Sequence, residues 1–292
     1  MTHFADCSSY CEVPLLRNDE IAKDTRLLRV HAPEMAASVV PGQFFMVRDP
    51  SGNDPLIGRA FAVYDCGGPE EGWLDIVYLV KGKLTTRLAT KQIGEPIAIW
   101  GPLGNGFSTT SVQQLVMVAG GIGQTPFLSL AREALGRKRF GKNSARANSP
   151  RANSPRASGY AEKVHFCYGA RNKAYLTGIS DFEAMGVGVS IATDDGSVGP
   201  ARLVTEALNE FLDQNTSVST RIVCCGPEPM MEAVSKIAAQ RGLPCEVSLE
   251  TPMACGVGIC FTCVAKVGSE EDWDYKRTCV EGPIFDASQI VW

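Results

Sequence analysis

From residue 12 to 105 apolar positions fall in short clusters separated by turn residues. Val13–Leu16, Thr25–His31, Gln43–Arg48, Arg59–Tyr64, Trp73–Leu79 and Pro96–Trp100 are rich in β-branched and aromatic side chains. Pro41-Gly42, Gly52-Asn53 and Gly67-Gly68 interrupt them. Short strands broken in this way predict a closed antiparallel barrel. A short helix over one end is expected near Thr86–Thr90.

The pattern changes at Gly101–Phe107, a Gly/Pro-rich link. Leu115-Val-Met-Val-Ala119 is then continuously apolar, as suits a strand buried on both faces. A Gly-rich turn and a helix (Pro126–Leu135) follow. Strands are predicted at Val164–Tyr168, Val187–Ala192, Arg221–Cys225 and Glu246–Leu249, and helices at Ala201–Phe211 and Pro229–Gln240. Strand–helix alternation implies a doubly wound parallel sheet. The expected fold is therefore multidomain, β plus α/β. Residues 1–106 form the antiparallel β-barrel, 107–246 the nucleotide domain and 247–292 a small C-terminal domain. Asn143-Ser-Ala-Arg-Ala, Asn148-Ser-Pro-Arg-Ala and Asn153-Ser-Pro-Arg-Ala are near-copies of one polar unit. They offer nothing to bury, so the insert at about 137–160 is expected to be a disordered loop.

Composition narrows the function. The chain has 292 residues, 45% of them apolar, and a net charge of −4, which argues against a nucleic-acid partner. No apolar run nears the ~18 residues needed to cross a bilayer. The first residues, Met-Thr-His-Phe-Ala-Asp, lack a secretory pattern. A cytoplasmic protein with no membrane partner is expected.

The 11 cysteines carry the strongest signal. Their odd number fits a disulfide framework poorly, and clustered Cys in a reducing compartment points to metal or redox chemistry. Cys255, Cys260, Cys263 and, after fifteen intervening residues, Cys279 have the spacing C-x4-C-x2-C…C. That is the plant-type spacing for a [2Fe–2S] cluster. Gly256 and Gly258 allow the left-handed backbone such a loop needs and let N–H groups approach the sulfurs. Zinc is less consistent, because structural zinc sites usually pair two similar C-x2–4-C units.

Three further loops follow predicted strands and open helices. Gly120-Gly-Ile-Gly-Gln-Thr-Pro126 offers backbone N–H groups and a helix dipole to a pyrophosphate, with Pro126 in the first helical turn. Cys225-Gly-Pro-Glu-Pro-Met230 has the same setting, as does Thr193-Asp-Asp-Gly-Ser197. By the strand-end rule all three share the carboxyl edge of one sheet, which makes a nucleotide crevice there. Asp194 and Asp195 serve equally well as turn or cap residues, and Cys225 as a small buried apolar residue. In the barrel, Arg59-Ala-Phe-Ala62 and Gly82-Lys-Leu-Thr85 supply a guanidinium and a hydroxyl for a second phosphate.

With these residues in view, the chain resembles the ferredoxin–NADP reductase superfamily. Arg59-Ala-Phe-Ala62 is similar to its R-x-[FY]-[ST] flavin motif, and Gly120–Pro126 and Cys225-Gly-Pro227 to its nicotinamide-side loops. Gly101-Pro-Leu-Gly-Asn-Gly-Phe107, Tyr168-Gly-Ala-Arg171, Ala192–Ser197, Ser248–Cys260 and Cys279-Val-Glu-Gly-Pro-Ile-Phe285 narrow the match. Together they resemble the electron-transfer subunits of class 1B dihydroorotate dehydrogenases. The resemblance runs from about residue 12 to the C-terminus, without the insert.

It implies FAD, a [2Fe–2S] cluster and NAD. It also implies an FMN-containing catalytic subunit that makes orotate in pyrimidine (UMP) synthesis, in a heterotetramer with two copies of each subunit. Carried over by position, FAD meets Arg59, Ala60, Phe61, Ala62, Val77, Tyr78, Leu79, Gly82, Leu84 and Thr85. The nicotinamide nucleotide meets Gly120, Gly121, Gly123, Thr125, Pro126, Asp195, Cys225, Gly226 and Pro227. The cluster ligands are Cys255, Cys260, Cys263 and Cys279. Ala62 replaces the usual Ser or Thr, and Leu84 a usual Gly, which touches the flavin's electronics more than its presence.

The implied relay is substrate, partner FMN, [2Fe–2S], FAD, NAD⁺, with no side chain acting as acid or base. Flavin belongs in the middle because it handles both single electrons and hydride. Three other readings remain. The subunit would serve a sulfide dehydrogenase or a ferredoxin:NADP transhydrogenase, act as a self-sufficient reductase, or be a metal-stabilised interaction module.

Overall fold

The computed structural model describes residues 8–68, 70–141 and 159–292. The three near-copies of the repeat lie outside them.

Six strands close the barrel: β1 (Ser9–Ala22), β2 (Thr25–His31), β3 (Phe44–Arg48), β4 (Arg59–Cys66), β5 (Trp73–Leu79) and β6 (Pro96–Leu103). Their order is β1-β2-β5-β4-β3-β6, with antiparallel pairing throughout. Leu28, Val30, Phe45, Val47, Val63, Ile76, Ile97 and Ile99 turn inward and fill it. Two helices, α1 (Pro33–Ser38) and α2 (Lys83–Thr90), add Met35, Ala36, Leu84 and Leu88 to that core. Arg29 binds Asp75 on the neighbouring strand at 2.6 and 2.7 Å and lies 3.8 Å from the Trp73 ring centroid.

The second unit is a sheet of β7 (Val112–Gly120), β8 (Ala161–Ala170), β9 (Gly188–Thr193), β10 (Thr220–Cys225) and β11 (Cys245–Ser248), all parallel. Strand β7 is central, and alternation along it feeds two cores. Leu115, Met117 and Ala119 join α3 (Phe127–Ala134) and α4 (Ile179–Glu183) through residues such as Phe127, Leu130 and Phe182. Val116 and Val118 join α5 (Val204–Gln214) and α6 (Glu228–Gln240) through Leu208, Leu212, Met231 and Val234.

The tail adds what the pattern does not predict. Hairpin β12 (Val264–Gly268)–β13 (Trp273–Arg277) leads to β14 (Ile284–Asp286), which pairs antiparallel with β11. The sheet order is thus β14-β11-β10-β7-β8-β9, so an otherwise parallel sheet gains an antiparallel edge. The chain leaves this sheet at Ser248 and returns at Ile284, and those two residues are paired.

Specific bonds join the units. Tyr64 Oη donates to Asp181 Oδ2 at 2.8 Å, and Arg132 pairs with Asp65 at 2.8 Å. Asn105 of the Gly101–Phe107 link accepts from Ile284 N at 2.9 Å and donates to Ile284 O at 2.8 Å. Beside it a Cβ on Gly104 would meet Pro283 at 2.6 Å. The link therefore holds the last strand in place.

Candidate functional site

The three predicted loops do lie at one sheet edge, because β7, β9 and β10 run parallel. The loops after β7 and β10 touch through their backbones. A Cβ on Gly123 would sit 2.3 Å from Cys225 O, and one on Gly120 2.8 Å from Pro227 and Met230. A Cβ on Gly226 would sit 2.9 Å from Gly120 N. These three glycines serve contact between loops. Gly121 differs: it has φ +56°, and a Cβ there would meet nothing within 4 Å. Pro126 caps α3.

Two clefts open beside these loops. One, ≈ 520 Å³, is lined by Arg59, Ala60, Phe61, Ala62, Val77, Tyr78, Leu79, Gly82, Leu84 and Thr85, which are the ten residues expected at the flavin. Thr125 and Cys225 line it too. Its wall is largely apolar and aromatic, with Arg59, Lys81 and Lys83 as cations, a donor set suited to a flat ring joined to a pyrophosphate. The Arg59 guanidinium donates to Gly58 O at 2.9 Å and remains at the exposed rim. Thr85 Oγ1 is committed to the turn, accepting from Lys81 N at 3.0 Å and Gly82 N at 2.9 Å. Burial pushes the Tyr78 phenol up to about 12, keeping that side chain neutral.

The other cleft, ≈ 740 Å³, is lined by Gly120, Gly121, Gly226 and Pro227 at the sheet edge. Tyr168, Arg171, Asp194 and Leu203 extend it along the same edge, and Asp24, Thr25, Val80 and Lys81 close it from the barrel. Gly123, Pro126 and Asp195 line neither cleft. Asp195 accepts instead from Ser197 N at 2.9 Å, and the Ser197 hydroxyl and then its backbone N–H hold the carboxyl below the usual range.

Leu79, Lys81, Ile122 and Glu250 belong to both clefts. Any groups bound in the two clefts would therefore meet at this seam. Desolvation pushes the Glu250 carboxyl up, and the Lys81 ammonium opposes that shift. Burial and then the Glu250 charge push the Cys225 thiol up, so it stays a neutral sulfur beneath the seam. Glu250, Lys81, Ile122 and Asp24 were absent from the expected site. Glu250 carried a usable signal, since it follows the end of β11 as the other loops follow theirs. Asp24 carried none, because only the folded barrel brings its turn to the sheet.

The cysteine loop lies against the barrel. Trp100 Nε1 on β6 donates to Cys255 O at 2.9 Å. A Cβ on Gly256, with φ +74°, would sit 2.6 Å from Met46 Cγ and 2.9 Å from Leu103 Cδ1. Gly258, with φ +82°, packs against Val280 and accepts from Arg277 at 3.2 Å. The sulfurs fall into two pairs. Cys263 Sγ lies 3.1 Å from Cys279 Sγ in the interior, whereas Cys255 and Cys260 lie nearer the surface. Bonds from Thr262 and then Cys255 bring the Cys260 thiol down to about 6. Burial and then Cys263 push Cys279 up to about 12. Among the described residues no three His, Cys, Asp or Glu side chains converge as a mononuclear metal would need. Together the four thiols are the donor set that would hold an iron–sulfur cluster, whose chemistry is one-electron transfer.

Barrel, parallel sheet and cysteine tail define a flavin- and nicotinamide-dependent oxidoreductase with an iron–sulfur cluster. Family models match in that order: an oxidoreductase FAD-binding domain over residues 12–107, an oxidoreductase NAD-binding domain over 117–236, and the iron–sulfur cluster binding domain of dihydroorotate dehydrogenase B over 250–291. The chain is 34% identical over 273 residues to the electron transfer subunit of dihydroorotate dehydrogenase B (NAD(+)) from Desulforamulus reducens, covering 93% of this chain and 94% of that protein. It is 32% identical to the same subunit from Caldanaerobacter subterraneus subsp. tengcongensis, covering 86% and 87%. The chain belongs to the family of dihydroorotate dehydrogenase B electron transfer subunits. Its cofactors are FAD, NAD and an iron–sulfur cluster. A solved NADH-dependent reduced ferredoxin-NADP oxidoreductase, described for flavin-based electron bifurcation, superposes with a TM-score of 0.77 at 27% identity, covering 96% of this chain and 90% of that one. Among the described residues no helix is long and apolar enough to cross a membrane.

Proposed function

We propose that the chain carries electrons from an FMN-containing catalytic subunit, which oxidises dihydroorotate to orotate, to NAD⁺ in pyrimidine synthesis. It would work in the cytoplasm within a two-plus-two heterotetramer. One observation carries the reading: the cysteine loop and the flavin cleft share a wall. Met253, two residues before the first ligand, lines that cleft, while Cys255 and Gly256 rest on β3 and β6.

The ≈ 520 Å³ cleft takes the flavin end of FAD, with Arg59 and the N-terminus of α2 at the pyrophosphate. The ≈ 740 Å³ cleft takes the nicotinamide nucleotide over Gly120, Gly121, Gly226 and Pro227. Thr125 and Cys225 back the ring from beneath, and Gly123, Pro126 and Asp195 shape the loops. Cys255, Cys260, Cys263 and Cys279 hold a [2Fe–2S] cluster. When bound, these groups join one-electron transfer to two-electron hydride transfer. The chain's own part is to fix their separation and exclude water. The partner docks where Cys260 reaches the surface between Ile259 and Phe261, 78% and 62% exposed. Large exposed apolar side chains of this kind mark interaction surfaces.

The test is Cys260→Ser. It should keep FAD and NADH-driven dye reduction but lose orotate-coupled NAD⁺ reduction with the catalytic subunit. Loss of flavin reduction by NADH, or unchanged coupling, overturns the assignment. The TM-score of 0.77 with the bifurcating oxidoreductase favours one second reading, a similar subunit serving another redox partner. Co-purification with an orotate-forming subunit distinguishes the two.

A further inference from the structure

The nucleotide cleft has one wall that the family's glycine loops do not explain. Asp24, Thr25, Leu79, Val80 and Lys81 all come from the barrel. Asp24 lies in the turn between β1 and β2, with a left-handed φ of 54°. Strained backbone outside glycine is tolerated where surrounding contacts hold it. Here the contacts come from both units. Val80 N donates to Asp24 O at 2.7 Å within the barrel, and Lys23 N donates to Ala174 O at 2.9 Å in the segment that follows β8. Thr25 Oγ1 donates to Lys23 O at 3.0 Å, and the Lys23 ammonium lies 5.4 Å from the Tyr175 ring centroid.

The cleft's charged lining residues are Asp24, Lys81, Arg171, Asp194 and Glu250. Lys81 opposes Glu250 at the seam. Arg171 and Asp194 follow the paired ends of β8 and β9 at the far end. That leaves Asp24, the one anion on the barrel wall; none of the five charged side chains makes a hydrogen bond or ion pair among the described residues. Its neighbours in the barrel ladder place it beside the seam. Thr25 pairs with Leu79, which both clefts share.

We propose that Asp24 recognises the nicotinamide half of the dinucleotide, accepting a hydrogen bond from its ribose hydroxyls or carboxamide. An anion there also favours the cationic ring of NAD⁺ over the neutral ring of NADH. The inference rests on the assignment of this cleft to the nicotinamide nucleotide.

Binding of NAD⁺, NADH and AMP to the chain loaded with FAD and cluster, followed by calorimetry with the hydride-inert 1,4,5,6-tetrahydro-NAD standing in for NADH, tests it. Asp24→Gly removes the carboxylate and relieves the backbone, so it should fold. It should weaken NAD⁺ about ten-fold or more, NADH less, and AMP not at all. Asp24→Asn keeps an acceptor and tolerates the left-handed turn, so it should restore NADH binding more than NAD⁺ binding. Melting temperature and flavin content report folding, and if Asp24→Gly fails there, the NAD⁺ to NADH ratio of Asp24→Asn decides. Unchanged NAD⁺ affinity in the variants, or AMP weakened equally, overturns the proposal. A wild-type chain that binds neither NAD⁺ nor AMP would instead overturn the assignment of the cleft.

Discussion

The turn before α3 and the cysteine loop are both short and glycine-rich, yet their glycines answer different needs. In the turn, Gly120 and Gly123 let two loops of one sheet edge touch backbone to backbone. In the cysteine loop, Gly256 combines a left-handed φ with a seat against Met46 and Leu103 of the barrel. A methyl group in the first place pushes apart loops that bound both clefts. In the second it lifts one loop from a wall that stays intact. The same residue type therefore carries a shared role in one loop and a local role in the other.

Three substitutions sharpen or break this contrast. Gly123→Ala should do most damage, since its methyl would lie 2.3 Å from Cys225 O. Overpacking against backbone should cost about 3 kcal/mol or more and release both FAD and NAD⁺. Urea denaturation and flavin content would show it, and a stable yellow variant would contradict the shared role. Gly256→Ala should come next, because its methyl would meet Met46 Cγ at 2.6 Å. Iron content should fall while FAD remains, as measured by metal and flavin analysis. Simultaneous loss of flavin would show that the loop's role is not local. Gly121→Ala should matter least. No protein atom lies within 4 Å of its added carbon, so in urea denaturation without nucleotide only the φ of +56° penalises it, by about 1 kcal/mol. A cost as large as that of Gly123→Ala would mean that the turn as a whole, rather than one contact, is sensitive.

Much of the fold was legible because burial and periodicity coincide. Thr25–His31 and Trp73–Leu79 match their strands to the residue. Leu115–Ala119 is fully buried in the central strand, as a continuous apolar run should be. The hairpin β12–β13 was not legible, because its residues are half-buried or exposed and leave no two-sided pattern. Nor was β14, three residues whose pairing depends on the sheet being there already. At the site, strand-end loops and motifs named about half of the smaller cleft's lining but only Leu79, Gly120, Gly121, Gly226 and Pro227 in the larger cleft. The seam was missed because Lys81 and Glu250 belong to different units and no spacing in the sequence links them.

The pairing of Ser248 with Ile284 has a kinetic consequence. The cysteine-bearing excursion begins and ends on neighbouring strands of the same sheet, so it is clamped at both ends. Electron tunnelling weakens steeply with distance, and a centre on a free tether would sample many distances and transmit unevenly. Here the closing of the last strand on the sheet edge would fix the gap between a cluster held by the four cysteines and a flavin in the neighbouring cleft.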